Sequence, residues 1–263
     1  LKSDHIVVYD RAASRTAGRF KRFWLNLPAP AAIAGNRATM TTAAGQRLYV
    51  STLLPADASI RSEPAEILGG DVAAHEPMNF KLRVEAPGGP RTTRFLHVLQ
   101  GADPGGAAHP ATLVQSTAGT AFEGAVVNNT ATLFPVDLGA PFTSVTYSVP
   151  GGVTVQRITG LVPNTGYRVV TETVAGNTQV TISPNGSDRF TDSGGVLEIA
   201  AAASAPAISA AGIVNAATLR SGGVAPGEIV TIFGSGLGPA GGAGARLRSA
   251  GQIDTTLSGV TVL

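Results

Sequence analysis

Hydrophobic and polar residues alternate along much of the chain, and the stretch "MNFKLRVE" (residues 78–85) is the clearest case. Phe80, Leu82 and Val84 would lie on one side of an extended chain. The intervening residues are all polar: Asn79, Lys81, Arg83 and Glu85. Because successive side chains of a β-strand face opposite ways, this pattern predicts a strand with one buried and one solvated face.

Short runs of the same kind recur through residues 1–200, whereas a helical period is nearly absent. They include "HIVVYD", "RFKRFWLNL", "RLYVSTLL", "RFLHVLQ", "TSVTYSV", "YRVVTETV" and "TQVTIS". Turn sequences such as "PGGP", "DPGG", "VPGG" and "SPNG" lie between the runs, and the chain has 33 glycines and 17 prolines. We predict an all-β protein of antiparallel β-sheets arranged as a β-sandwich, with no helix longer than about ten residues.

The stretch "EIAAAASAPAISAAG" (residues 198–212) is the one helix-like sequence, but Pro206 interrupts it and it has no charged face. We interpret residues 201–212 as an Ala/Ser linker. The linker would follow two β-rich regions, residues 1–100 and 101–200. It would precede a further β-module that occupies residues 213–263.

The glycine-rich stretch "IVTIFGSGLGPAGG" (residues 229–242) raises the question of a phosphate-binding loop. Such a loop leads from a strand into a helix whose N-terminus faces the anion. The third glycine of the dinucleotide fingerprint would fall at Pro239, no Gly-Lys-Ser/Thr follows, and the next residues are too glycine-rich for a helix. We therefore predict no nucleotide or other cofactor here.

The same region fits a sheet motif. A turn at Pro226-Gly227 would lead into a strand through Thr231, and Gly234 and Gly236 would then let the chain change direction. The segments Asn215-Ala216-Ala217, Pro226-Gly227-Glu228 and "FGSGLGP" together resemble the Ig-like TIG/IPT-type C-terminal module of large secreted bacterial proteins. The resemblance implies the first part of such a sandwich, in an extracellular multidomain protein and without catalysis.

The opening of the chain carries another resemblance. A strand that ends in an aspartate ("DHIVVYD") is followed by "KRFWLNLP" and, beyond a glycine turn, by "RLYVSTLLP"; "RFLHVLQGAD" and "GGVLEI" come later. These segments resemble the C-terminal β-region of heparinase II/III-type polysaccharide lyases. The resemblance implies a parent enzyme that cleaves acidic polysaccharide by β-elimination, with most of its chemistry in an upstream α/α toroid. No catalytic residue is carried over onto this chain.

"ITGLVPNTGYRVVTETV" (residues 158–174) has a separate interpretation. Leu161, Pro163, Thr165 and Tyr167 resemble the proline-to-tyrosine corner of fibronectin-III-like sandwiches. The resemblance implies that the Tyr167 hydroxyl bonds to upstream backbone and that its role is structural.

Charge is unevenly distributed. Between Arg11 and Ala56 the chain has seven basic residues and no acidic one: Arg11, Arg15, Arg19, Lys21, Arg22, Arg37 and Arg47. Such a stretch attracts polyanions or is simply a solvated strand surface. Trp24 shares a strand face with Arg22 and Asn26, so two interpretations stay open: a sugar-binding surface, with Arg47 as a further contributor, or a tryptophan in a core between sheets.

The remaining chemistry is sparse. The four histidines, His5, His75, His97 and His109, show no metal-ligand spacing, so no metal site is predicted. His97 lies in an apolar run and is interpreted as a core residue. The chain has no cysteine and no run of 18 apolar residues, so neither a disulfide scaffold nor a membrane-spanning helix is predicted.

These features predict a non-catalytic β-sheet portion of a secreted, polysaccharide-lyase-like protein, cut from a longer chain. Its expected partners are an anionic polysaccharide and an upstream catalytic domain of the same chain, with no nucleic acid. Two alternatives stay open: a structural or adhesive array of Ig-like modules on a bacterial surface protein, and a free-standing carbohydrate-binding module. Whether the parent protein is an active enzyme is left open.

Overall fold

The computed structural model describes residues 5–65, 78–200, 207–235, 256–257 and 260–261. Within these residues every regular element is a β-strand and no helix occurs, which confirms the predicted all-β class. The chain divides into two compact units, Leu1–Ile199 and Ala200–Leu263. None of the described residues forms a helix that is long and apolar enough to cross a membrane.

The strands follow one another along the chain in this order: β1 (His5–Ala13), β2 (Arg22–Leu27), β3 (Ala31–Ala34), β4 (Arg37–Thr41), β5 (Arg47–Leu54), β6 (Ser59–Pro64), β7 (Phe80–Glu85), β8 (Thr92–Ala102), β9 (Ala111–Gly119), β10 (Phe122–Val127), β11 (Thr130–Pro135), β12 (Val145–Pro150), β13 (Val155–Ile158), β14 (Gly166–Val174), β15 (Asn177–Pro184), β16 (Arg189–Phe190), β17 (Leu197–Ala200), β18 (Ala207–Asn215), β19 (Val230–Ser235), β20 (Thr256–Leu257) and β21 (Val260–Thr261).

A three-stranded sheet, β2-β7-β6, packs on a five-stranded sheet, β1-β8-β5-β4-β3. The apolar positions of the alternating strands form the core between them. Leu27, Leu82 and Val84 come from the smaller sheet, and Val50 and Phe95 from the larger one. The buried and solvated faces predicted for residues 80–85 are both present, because Leu82 and Val84 are fully buried whereas Lys81, Arg83 and Glu85 are not.

Strand β8 is buried on both faces, which explains why "FLHV" is a continuous apolar run rather than an alternation. Phe95 faces the core described above. Leu96 and Val98 pack on the opposite side against Ala125 and Val127 of β10. The predicted regions 1–100 and 101–200 therefore share a core within one compact unit, and β8 itself crosses the boundary expected at residue 100.

The remaining strands of this unit form a nine-stranded sheet, β16-β14-β15-β12-β9-β10-β11-β13-β17. Its main core contains fully buried Tyr147, whose hydroxyl donates a 2.6 Å hydrogen bond to Gln156. From β16 to β11 each pair of neighbouring strands is antiparallel, whereas β11 and β13 run parallel. This departs from the purely antiparallel prediction because β12 carries the chain back before β13 begins.

Tyr167 is 1% exposed, and its hydroxyl oxygen accepts a 3.1 Å hydrogen bond from the backbone N–H of Val162. The ring packs edge-on against Phe142, with centroids 5.7 Å apart. A buried hydroxyl that satisfies a loop amide five residues upstream holds the loop between β13 and β14 against the sheet.

In the second unit, β18 and β19 pair antiparallel. β18 begins at Ala207, so the predicted linker over 201–212 is wrong from residue 207 onward. There the chain is extended because Ala207 and Ile208 pair with β19. Residues 201–206 lie outside the described residues. Gly234 pairs with Ile208 inside β19, so the strand continues beyond the point where a turn was predicted. Gly236 lies outside the described residues.

The Asn-Ala-Ala and Pro-Gly-Glu segments of this unit are joined by side-chain hydrogen bonds. The Asn215 carboxamide oxygen accepts from the amides of Ala217 and Thr218, and its N–H₂ group donates to Glu228 at 2.7 Å. Glu228 also accepts from the Ala225 amide, and these two bonds lower the pKa of its carboxyl. The motif residues thus stabilise turns.

The turn predicted at Pro226-Gly227 is present. Gly227 has φ +81°, and the Glu228 amide donates to the Ala225 carbonyl at 3.1 Å. These features define a type II turn, in which proline supplies the fixed first torsion and glycine the positive second one.

Candidate functional site

The solvent-facing side of the β2-β7-β6 sheet is a regular grid of polar side chains. The strand registers align them in three rows across the sheet: Arg22–Glu85–Ser59, Trp24–Arg83–Arg61 and Asn26–Lys81–Glu63. Neighbouring strands lie about 4.8 Å apart, and rows two residues apart are separated by about 6.7 Å. We call these nine residues the polar face.

Trp24 lies on the polar face with its side chain 41% exposed, so the interpretation of Trp24 as a core residue is wrong. The reason is the register, which sends its neighbours Phe23 and Leu25 into the core. The Lys81 ammonium lies 4.7 Å and the Arg22 guanidinium 5.7 Å from the indole centroid. Cations beside an aromatic ring hold it in place while leaving part of it open to a ligand.

A second exposed aromatic ring extends this arrangement. Phe20, which precedes β2, is 64% exposed, and its ring lies 4.3 Å from the Arg22 guanidinium. Arg22 is therefore placed between two aromatic rings. The aromatic surface at this edge of the sheet is larger than the single tryptophan suggests.

Four cations and two carboxylates give the polar face a net positive charge: Arg22, Arg61, Lys81 and Arg83 against Glu63 and Glu85. Arg22 donates a 3.0 Å hydrogen bond to Glu85, which lowers the pKa of that carboxyl. Arg83 lies between the two carboxylates, 3.5 Å from Glu63 and 3.6 Å from Glu85. Arg61 is exposed and makes no ion pair with any residue that the structure describes.

The residues predicted for the site are only partly brought together. Arg22, Trp24 and Asn26 share the polar face, but Arg47 lies on β5 in the other sheet. There its guanidinium donates to the Tyr49 hydroxyl at 3.2 Å and to the Gly106 carbonyl at 3.5 Å. The prediction that Arg47 shares a sugar-binding surface with Trp24 is therefore wrong, because β2 and β5 belong to different sheets.

The basic stretch from Arg11 to Arg47 does not form one surface either. Lys21 is only 6% exposed, and its ammonium donates to Ser14, to the Arg19 carbonyl and to the Pro90 carbonyl. Arg11 donates to the carbonyls of Pro135 and Val136 in the nine-stranded sheet and the loop that follows β11. Several of these cations thus satisfy backbone oxygens and are not presented together to a polyanion.

A buried carboxylate joins the five-stranded sheet to the nine-stranded sheet. Glu123 is 1% exposed; it accepts from the Tyr9 hydroxyl at 2.7 Å, from the Arg94 guanidinium and from the Gln115 amide. Burial and the bond to Glu123 raise the pKa of Tyr9 far above its usual range. Such a phenol stays protonated at neutral pH, so this cluster is suited to holding the layers together.

His97 is fully buried between the Phe23 and Phe95 rings, whose centroids lie 4.1 and 6.0 Å away. Its Nδ1 is 3.1 Å from the Thr52 hydroxyl, whereas its Nε2 has no hydrogen-bond partner among the described residues. Burial lowers the pKa of His97 to about 4, so the ring is neutral at pH 7. The imidazole is a core side chain with no access to a substrate.

Metal ligands do not converge anywhere in the described part of the chain. No group of three or more His, Asp or Glu side chains has the arrangement that would hold a metal ion there. The polar face presents chiefly cationic and amide groups, which suit anionic and hydroxyl-bearing ligands rather than cations.

No protein-family model matches the chain, and no curated protein matches it. The family resemblances therefore rest on the sequence segments that carry them.

Proposed function

We propose that residues 1–199 form a non-catalytic β-module that holds acidic polysaccharide on the polar face, within a secreted bacterial protein of the heparinase II/III type. The observation that carries the proposal is the exposed Trp24 indole on the solvent-facing side of the β2-β7-β6 sheet, next to Arg22 and Lys81. An aromatic ring stacks on the apolar face of a sugar, and guanidinium groups bind its carboxylate or sulfate. The module would brace an upstream catalytic domain of the same chain.

The most strongly shifted titratable groups among the described residues, Tyr9, Tyr147 and His97, are unsuited to act as the base of an elimination. Elimination at a uronic acid needs a base that is unprotonated near neutral pH and can reach the substrate. Burial raises the pKa of both Tyr9 and Tyr147, and His97 is completely buried. The groups with strongly shifted pKa values are therefore placed for packing and not for proton abstraction.

The alternative of a structural or adhesive array of Ig-like modules is favoured by one observation. The motif residues Asn215 and Glu228 make their hydrogen bonds within turns of the second unit. Under this alternative the polar face binds no sugar, so the titration described next separates the two functions.

Trp24→Ala should weaken the binding of the chain to hyaluronan or chondroitin sulfate about fivefold, the equivalent of about 1 kcal/mol. Calorimetric titration at low and at physiological salt measures the effect, and charge attraction weakens with added salt. Phe190→Ala is the matched control, since Phe190 is a 64% exposed aromatic residue on β16. Because Trp24 is exposed, its replacement should lower stability by only about 1 kcal/mol. Equal binding by both variants would refute the proposed surface.

The chain alone should release no unsaturated uronic product from heparin-like, alginate or chondroitin-like polymers. The new double bond absorbs in the ultraviolet, so a spectrophotometric assay with a known lyase as positive control measures it directly. Sustained turnover that survives repurification would mean that the chain contains a complete base and carboxylate-neutralising group, contrary to the proposal.

A further inference from the structure

The central row of the polar face, Trp24–Arg83–Arg61, differs from the rows on either side. It holds one aromatic ring and two guanidinium groups and no acid, whereas each outer row contains one carboxylate, Glu85 or Glu63. If one sugar ring stacked on Trp24, the next sugar along the row would therefore lie over the arginine side chains. From β2 to β6 the row spans about 10 Å.

The two arginines of this row are not equivalent. Arg83 lies within 3.6 Å of a carboxylate on each side, so most of its charge is already compensated. Arg61 is exposed on the outer strand β6 and makes no ion pair with a described residue. An incoming carboxylate or sulfate would thus gain most from Arg61, at the far end of the row from the indole.

Glu63 and Glu85 also limit how many anionic groups the polar face accepts. They flank the central row on both sides, so a second acidic group placed over an outer row would meet a carboxylate. Like charges at such short separation are unfavourable. The grid therefore favours a ligand with separated acidic groups over one that is charged on every ring.

We infer that the polar face binds a polysaccharide in which acidic and uncharged sugars alternate, with the uncharged ring on Trp24 and the acidic group of the neighbouring sugar at Arg61. This inference rests on the proposed function, because it names the ligand class of the same surface. Carboxylate and sulfate share the required chemistry, and the choice between them is left to the experiment.

The test compares oligosaccharides of hyaluronan, which has one carboxylate in every two sugars, with the same oligosaccharides after reduction of their carboxyl groups. Arg61→Gln should weaken binding of the acidic form about fivefold to tenfold, as expected for loss of one charge-assisted hydrogen bond. It should leave binding of the reduced form unchanged. Arg168→Gln, at an exposed arginine on β14, removes the same charge elsewhere and should have no effect on either. Keratan sulfate oligosaccharides with one sulfate in every two sugars are the sulfated comparison, and polygalacturonate is the fully acidic one.

The possible outcomes distinguish failure of this inference from failure of the proposed polysaccharide-binding function. If Trp24→Ala weakens binding but Arg61→Gln does not, or if polygalacturonate binds more tightly than hyaluronan, the alternating-charge inference is wrong and the polysaccharide surface remains. If no polysaccharide binds, or if an oligothymidylate binds more tightly through the same residues, the proposed function fails as well. Tighter binding of that keratan sulfate than of hyaluronan, with the same dependence on Arg61, would support the inference and assign the anion as sulfate.

Discussion

Gly124→Ala should destabilise the first unit by more than about 4 kcal/mol, which is a large part of the stability of an ordinary domain. Gly124 lies in β10, hydrogen-bonded between β9 and β11. A Cβ atom at this position would overlap the Thr132 carbonyl oxygen and lie 2.7 Å from the carbonyl carbon. Both atoms belong to the backbone of the paired strand, so the clash is relieved only by separating the two strands. Equilibrium denaturation followed by tryptophan fluorescence and circular dichroism measures the loss.

The control for this variant is Gly101→Ala in β8, a strand glycine at which an added methyl group would have no atom within 4 Å. Alanine there should change the free energy of unfolding by no more than about 1 kcal/mol. The change should favour the folded state, because alanine lowers the conformational entropy of the unfolded chain. If the two variants melted at the same temperature, the close approach of β10 and β11 at Gly124 would be wrong.

Local features of the fold followed directly from the sequence. The alternation in "MNFKLRVE" identified both faces of β7, because side-chain direction in a strand depends only on position along the chain. The turn at Pro226-Gly227 was predictable for the same reason, since proline and glycine supply the required backbone angles themselves. Neither feature depends on which other strand lies beside it.

The candidate site depends on strand pairing, which the sequence does not display. Trp24 meets Arg83 and Lys81 because β2 pairs with β7, a strand more than 50 residues later in the chain. The basic stretch between Arg11 and Ala56 suggested Arg47 as a partner instead, but Arg47 belongs to a different sheet from Trp24. Lys81 and Arg83 were expected on a solvated face, but nothing in the order of residues showed that Trp24 shared it.

The Glu123 cluster is a further example of a non-local arrangement. A signal was present: Glu123 is the one charged residue in "FEGAVV", a strand whose other residues are all apolar. A charge in such a strand is almost never buried without a partner. The sequence thus indicated that partners were needed, but Tyr9 and Arg94 come from β1 and β8, and only the packing of the layers identifies them.

The stability of the first unit should fall as the pH is lowered from about 6.5 to about 4, because His97 is buried in its neutral form. Burial lowers its folded-state pKa to about 4, whereas an exposed histidine titrates near 6.5. Above pH 6.5 the ring is neutral in both states and its contribution is fully present. Below that pH the unfolded chain binds a proton that the folded chain does not, so about 1.4 kcal/mol is lost per pH unit, or about 3 kcal/mol by pH 4.

Denaturation curves at closely spaced pH values, for the parent chain and for His97→Gln, isolate this contribution. Glutamine occupies a similar volume and keeps a group that can bond to Thr52, but it does not titrate. The difference in unfolding free energy between the two proteins should therefore be constant above pH 6.5 and should shift in favour of the variant below it. The carboxyls of Glu85 and Glu228, whose pKa values are lowered, cancel because both proteins contain them. A difference that stayed constant down to pH 4 would mean that His97 is reached by solvent or gains a partner for Nε2, against the burial from which the prediction follows.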